Sequence, residues 1–303
     1  MSEMIAAVAE RVAERRTRLS PAERRVAAVV LDHPQAVAFG TVARVAEQAA
    51  TSGASVLRLA AKLGYDGFAG LQAAVQLDIG QQLRPAVERI GGPVPTARTE
   101  IVARTLQAEV DNVERTMRAI EPRAFDRALT LLAHRARPVR ILAGEAEAGV
   151  GAMLATGLGM LRPDVALVEG SDVAVARQLA QARAPTAAGR PPAGARRNTL
   201  VLVAIDLRRY ERWVVEHTLR AVEGQGAEVI ALTDSLLSPL AEPATVAFTV
   251  HAEGAGPFDS HVGTLALVNA LLTGVAGRLR RSAAPRLGAV EAAWRNADAL
   301  VDP

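Results

Sequence analysis

The chain contains no cysteine, which excludes disulfides, thiolate metal sites and cysteine nucleophiles. Aromatic residues are only 3% of a composition that is 50% apolar, so any core is built from Ala, Val and Leu. Lysine occurs once, at Lys62. Basic and acidic residues nearly balance, 35 against 32, for a net charge of +3. Bulk charge therefore says little about nucleic acid, and local placement has to carry that argument. No uninterrupted apolar run reaches membrane-spanning length, and the amino terminus lacks a signal-peptide pattern. A cytoplasmic setting is expected, with no cofactor and no metal site. What remains is a chain of 303 residues, long enough for two domains with a sizeable core.

The first part reads as helical. In "LSPAERRVAAVVLDHP", Ser20 precedes Pro21 and Glu23 as N-cap, N1 and N3 of a capping box. Val26, Val29 and Val30 follow at helical spacing, and Pro34 should stop the helix. "TVARVAEQAA" has Thr41 as a cap. "TSGASVLRLAAKLGYDG" has Ser52 as a cap, Val56, Leu59 and Leu63 on one face, and Gly64 at the end. A helix through "FAGLQAAVQLDIGQQL" leads to "RPAVERIGGPVPTAR", whose Gly and Pro residues mark a linker. Two further helical stretches follow. The first carries Ile101, Leu106, Val110, Val113 and Met117 as its apolar face.

From Val139 the period changes. The runs "VRILAG", "VALVEG", "TLVLVAI", "EVIALTD" and "ATVAFTV" alternate with helical stretches near 148–161, 172–183, 211–223, 260–280 and 286–301. Continuous apolar strands separated by helices imply a parallel sheet covered on both faces, a doubly wound α/β domain. "RAPTAAGRPPAGARRN" is too rich in Pro, Gly and Arg to be regular and is expected to be a mobile loop. The expected organisation is an all-α helix-turn-helix domain over 1–83, a linker over 84–97 and an α/β sensing domain over 98–303.

Two short helices at 41–49 and 53–63, joined by a tight turn, have helix-turn-helix spacing. The second would lie in a major groove with Gly53, Ala54, Ser55, Arg58 and Lys62 outward. Arg58 suits a base edge or a phosphate, Ser55 is short enough for close approach, and the caps Thr41 and Ser52 would leave helix-end amides for phosphate oxygens. An ordinary helical bundle with solvated charges is the plain alternative. Residues 17–78, with Leu19-Ser20, His33-Pro34, Val37-Ala38-Phe39 and "SGASVLRLAAKLGYDGF", resemble the helix-turn-helix region of the RpiR (MurR/RpiR) family of bacterial transcription regulators. Thr51 and Gly53 stand where that family usually has Val and Glu.

The resemblance implies that the second domain is a sugar isomerase (SIS) domain that senses phosphosugars, and it extends over roughly 120–281. Ser238-Pro239-Leu240-Ala241 is its clearest element there. Two loops depart from the phosphosugar pattern. Where such members carry Gly-x-Gly-x-Ser, this chain reads Gly144-Glu145-Ala146-Glu147-Ala148. Where they carry Ser-x-Ser-Gly-x-Thr, it reads Asp206-Leu207-Arg208-Arg209-Tyr210-Glu211, a pattern that also resembles a recurring variant of RpiR-type regulators. Open α/β sheets bind ligands beyond the carboxyl ends of their strands, and guanidinium groups match anions bidentately. Arg208 and Arg209 are thus the expected anion clamp. Gly144, Glu145, Asp206, Tyr210, Asp234, Ser235 and Ser260 are expected to line the same effector site. Asp206 is placed to orient an arginine or accept from a ligand hydroxyl, and Ser260 to cap the last helix.

These features point to a DNA-binding regulator, acting as a repressor, that binds duplex operator DNA as a homodimer or homotetramer. Its effector would be a small anionic metabolite such as a sugar phosphate, sugar acid or other carboxylate. The alternative is a sugar-phosphate isomerase-type enzyme, for which Glu145, Glu147, His217 and His261 are acid–base candidates by residue type alone. A module that binds no ligand is a third reading.

Overall fold

The computed structural model describes residues 7–82, 86–92, 94–182, 200–236 and 238–301. The chain divides into two compact units, Met1–Pro93 and Val94–Pro303.

The first unit is all helical: α1 (Ala7–Arg15), α2 (Pro21–Asp32), α3 (Pro34–Ala38), α4 (Val42–Gln48), α5 (Gly53–Lys62), α6 (Gly67–Gln82) and α7 (Ala86–Arg89). The capping box at α2 forms as expected, with Glu23 N donating to Ser20 Oγ at 3.3 Å and Ser20 N donating to Glu23 Oε2 at 2.7 Å. Pro34 does end α2, but it also opens α3, because the ring's fixed φ suits a first helical turn that needs no N–H donor. Val26, Val30, Val37, Val45, Val56, Leu59, Leu63 and Leu71 close one core. Gln72 and Gln76 of α6 donate to the carbonyls of Val37, Gly40 and Ala38, satisfying the end of the short α3. The stretch read as a linker contains α7 as well as its Gly and Pro residues.

The second unit runs α8 (Arg98–Arg118), α9 (Pro122–Leu132), β1 (Val139–Ala143), α10 (Ala148–Leu161), β2 (Val165–Leu167), α11 (Asp172–Gln181), β3 (Val201–Ile205), α12 (Arg212–Gln225), β4 (Glu228–Thr233), β5 (Val246–Thr249) and α13 (Val262–Asn296). The five strands are parallel in the order β2-β1-β3-β4-β5. Val201, Val203 and Ile205 face a core shared with α9, α10 and α13, whereas Leu202 and Ala204 face one shared with α11 and α12. That is why the strands read as unbroken apolar runs: both faces are covered. The residues expected to form a mobile loop, 183–198, lie outside the described residues.

Two expectations are corrected. The stretches near 260–280 and 286–301 form one helix, α13, that passes through Pro285. Its length and hydropathy would suit a bilayer, yet Leu267, Val268, Leu271 and Val275 are fully buried in this unit's core, so that apolarity serves packing. The second correction concerns α8. Its buried residues are Asn112 and Thr116, while Val102, Leu106, Val110 and Met117 are exposed. Asn112 exchanges hydrogen bonds with the backbone of Glu253, and Thr116 Oγ1 accepts from His251 N. Backbone groups after β5 need partners, and a polar helix face supplies them better than an apolar one.

Candidate functional site

In the first unit, α4 and α5 are joined through Ala50, whose φ is +46°. Arg25 holds this turn by donating to the carbonyls of Ala49 and Ala50. Thr41 caps α4, its Oγ1 accepting from Arg44 N. Ser52 occupies the N-cap position of α5 but its hydroxyl caps no backbone amide. Instead Ser52, Thr51 and Arg58 Nη2 all meet the Ser55 hydroxyl, at 3.3, 3.1 and 3.0 Å. Ser55, expected to face outward, is buried at 2% exposure, and this network is the reason. A Cβ on Gly53 would meet Val42 Cγ1 at 3.1 Å, so the departure from Glu allows α4 and α5 to approach closely.

Lys62, expected to face outward, is exposed but has partners within its own unit. Its ammonium pairs with Glu23 at 2.7 Å and reaches the carbonyl of Arg18. Burial raises the Glu23 pKa, but the hydrogen bonds from Lys62 and Ser20 outweigh it and hold the carboxyl below its ordinary value. The outward face of α5 is therefore Ala54, Leu57, Arg58 and Ala61, with Lys62 tethered at its end. Leu57 was missed because its exposure, 47%, depends on which face the neighbouring helices cover.

In the second unit the strand order reverses direction between β1 and β3, the switch point where such sheets leave a crevice. Gly144 N donates to Ile205 O and ties the two strand ends together. A Cβ at Gly144 would lie 2.6 Å from Glu147 Oε2, 3.0 Å from Glu211 Oε1 and 3.1 Å from Asp206 Oδ1. Three carboxyl groups converge there, and a larger residue would have to push them aside. Asp206 Oδ2 accepts from Glu211 N at 2.7 Å, closing its own loop, and so does not orient an arginine. Glu211 in turn accepts from Glu145 N and from Trp213 Nε1.

Burial, reinforced by the neighbouring acids, shifts the titration of two groups. Glu147 is pushed up to about 8, chiefly by burial and then by the charge of Asp206. Asp206 is pushed up to about 7, again chiefly by burial. His261 Nδ1 lies 4.0 Å from Glu147 Oε1, and burial lowers its pKa.

The two arginines do not act as a pair. Arg208 is 7% exposed. Its Nη1 donates to Asp259 Oδ1 and its Nη2 to Glu253 Oε1, each at 2.8 Å. Its backbone has φ +61°, and Arg209 N donates to Leu207 O across a three-residue turn. This turn points the guanidinium inward toward the loop after β5 and leaves Arg209 exposed. Asp234 Oδ1 accepts from Arg208 N and from Tyr210 Oη, and burial with Asp234 raises the Tyr210 pKa. Ser235 is buried. Ser260 donates to Glu109 and accepts from Val262 N, but the N-cap of α13 is His261. His217 is buried within α12, its Nε2 3.5 Å from Asp172.

Residues 6–82 match the family model described as helix-turn-helix domain, rpiR family, and residues 183–274 match that of the SIS domain. The chain joins a helix-turn-helix domain to a SIS domain. It is 28% identical over 277 residues to the HTH-type transcriptional regulator HexR of Pseudomonas aeruginosa, covering 88% of each chain. Its SIS part is similar to the sugar isomerase domain of an RpiR transcription factor from Sphaerobacter thermophilus, at 27% identity, 63% of this chain, 98% of that one and a TM-score of 0.53. The fold also extends to the Vibrio vulnificus NanR protein complexed with ManNAc-6P, at 19% identity, 97% of this chain, 98% of that one and a TM-score of 0.52.

Proposed function

We propose that this chain is a DNA-binding transcriptional regulator, acting as a repressor, whose SIS domain senses a sugar derivative that carries an acidic group. The outward face of α5, built on a turn that Arg25 and the Ser55 network hold in shape, carries the DNA half of this reading. A small exposed face next to one guanidinium suits close approach to a major groove. The full chain should bind duplex DNA with affinity that falls steeply with salt as phosphate counterions are released. Binding that is flat between 50 and 200 mM salt, or absent, ends this reading.

For the effector, the crevice at the β1–β3 switch offers carboxyl groups to sugar hydroxyls. Arg208 is occupied by Asp259 and Glu253, so Arg209, exposed beyond β3, takes the acidic end of the ligand. The Asp206–Tyr210 loop then works as a variant effector loop in which hydroxyl recognition has passed to carboxyls. A thermal-shift panel of sugar phosphates, sugar acids and neutral sugars tests this, since a ligand of the native state raises stability by mass action. Stabilisation by an acidic sugar should disappear in Arg209→Ala; retention of the full shift contradicts the assignment.

A homodimer fits α8. Val102, Leu106, Val110 and Met117 form an exposed apolar stripe along it, and such a patch marks a surface that a partner covers. The enzyme reading rests on the buried Glu147 with the half-buried His261 4.0 Å away in a crevice. Turnover of any aldose or ketose phosphate by the full chain would favour it; none is expected.

A further inference from the structure

We infer that α5 reads thymine methyl groups beside a guanine, with Leu57 as a specificity-determining residue. The inference rests on the regulator reading and names the bases its recognition helix selects. Ala54, Leu57, Arg58 and Ala61 fall at i, i+3, i+4 and i+7 and are all exposed, so they share one face. Three of the four are aliphatic. This face offers no Asn or Gln amide to adenine N6 and N7, and no carboxylate to cytosine N4.

The chemistry that remains is narrow. Thymine alone displays a methyl group in the major groove, and aliphatic side chains recognise it by contact. Leu57 is 47% exposed, an apolar group that has no place in this unit's own core. Arg58 supplies the single fork for guanine O6 and N7. One of its nitrogens, Nη2, is held by Ser55 Oγ at 3.0 Å. Ser55 Oγ in turn meets Thr51 and Ser52. Ser55 is therefore a positioning residue: it fixes Arg58 along the helix and sets its contact one step from that of Leu57.

The test uses the full chain. Duplexes bound by it are selected from a random library, and each selected thymine is then replaced by uracil, which lacks only the methyl group. At the thymine under Leu57, uracil should weaken binding roughly fourfold, about the transfer free energy of one buried methylene. Leu57→Ala should weaken binding to the thymine duplex and abolish the difference between thymine and uracil there. Arg58→Ala should relax the preference for the adjacent guanine and leave the uracil effect in place. If Leu57→Ala keeps the same thymine-to-uracil ratio as the unchanged chain, the inference fails while the regulator reading stands. If selection enriches no motif at all, both fail.

Discussion

Burial raises the pKa of Glu147 and of Asp206 above the ordinary carboxylate range, and the consequence is measurable. Their folded pKa values, about 8 and about 7, lie above the unfolded values, so the native state binds more protons than the unfolded one across that window. Stability from these groups is complete below about pH 4 and declines as pH rises through 7 to 8. Melting of the full chain should therefore fall between pH 6 and 8.5. Glu147→Gln, which keeps the shape without the charge, should raise the melting temperature at pH 8.5 by roughly 3–6 °C and flatten that decline. An unaltered pH dependence would show that Glu147 is an ordinary carboxylate. Arg208 works in the opposite sense. Arg208→Met leaves Asp259 and Glu253 without their partner and should destabilise the second unit by about 2–3 kcal/mol, below the figure for a fully buried pair because both acids remain partly solvated. Chemical denaturation measures this, and a loss under about 0.5 kcal/mol, the usual range for a plain surface change, contradicts the clasp.

Among the elements, α8 makes the clearest prediction. If its outward stripe is the face on which two copies meet, Leu106→Glu should convert a dimer to a monomer in sedimentation or light scattering, with the monomer still folded by circular dichroism. A dimer that persists places the contact elsewhere. The same helix shows where sequence reading stops. Strands β1 to β5 were legible because each is a continuous apolar run, and α10 to α12 because they alternate with those strands. The face of α8 that turns inward was not, because Ile101, Leu106 and Val110 mark an apolar stripe without marking what it meets. Asn112 and Thr116 are buried because the segment after β5 needs hydrogen-bond partners, a demand that arises far away in sequence. Similar non-local causes tied Lys62 to Glu23 and directed Arg208 toward Glu253 and Asp259. The capping box at Ser20, by contrast, lies within four residues and was readable directly. The merging of two expected helices into α13 through Pro285 also escaped the pattern, since proline normally ends a helix and the buried contacts of α13 upstream of it are tertiary.

Across the whole molecule, the proposed function requires coupling between a DNA-binding face in one unit and an effector site in the other. Such coupling is a free energy, and a ligand that favours one arrangement must change DNA affinity by the same factor as DNA changes ligand affinity. The most direct measurement is the dissociation constant of the full chain for a selected duplex, at fixed salt, with and without a saturating acidic sugar identified by thermal shift. The account predicts a change of roughly 5- to 150-fold, the usual range for coupled sites, that vanishes in Arg209→Ala. An operator affinity that is the same with the ligand as without it would contradict it.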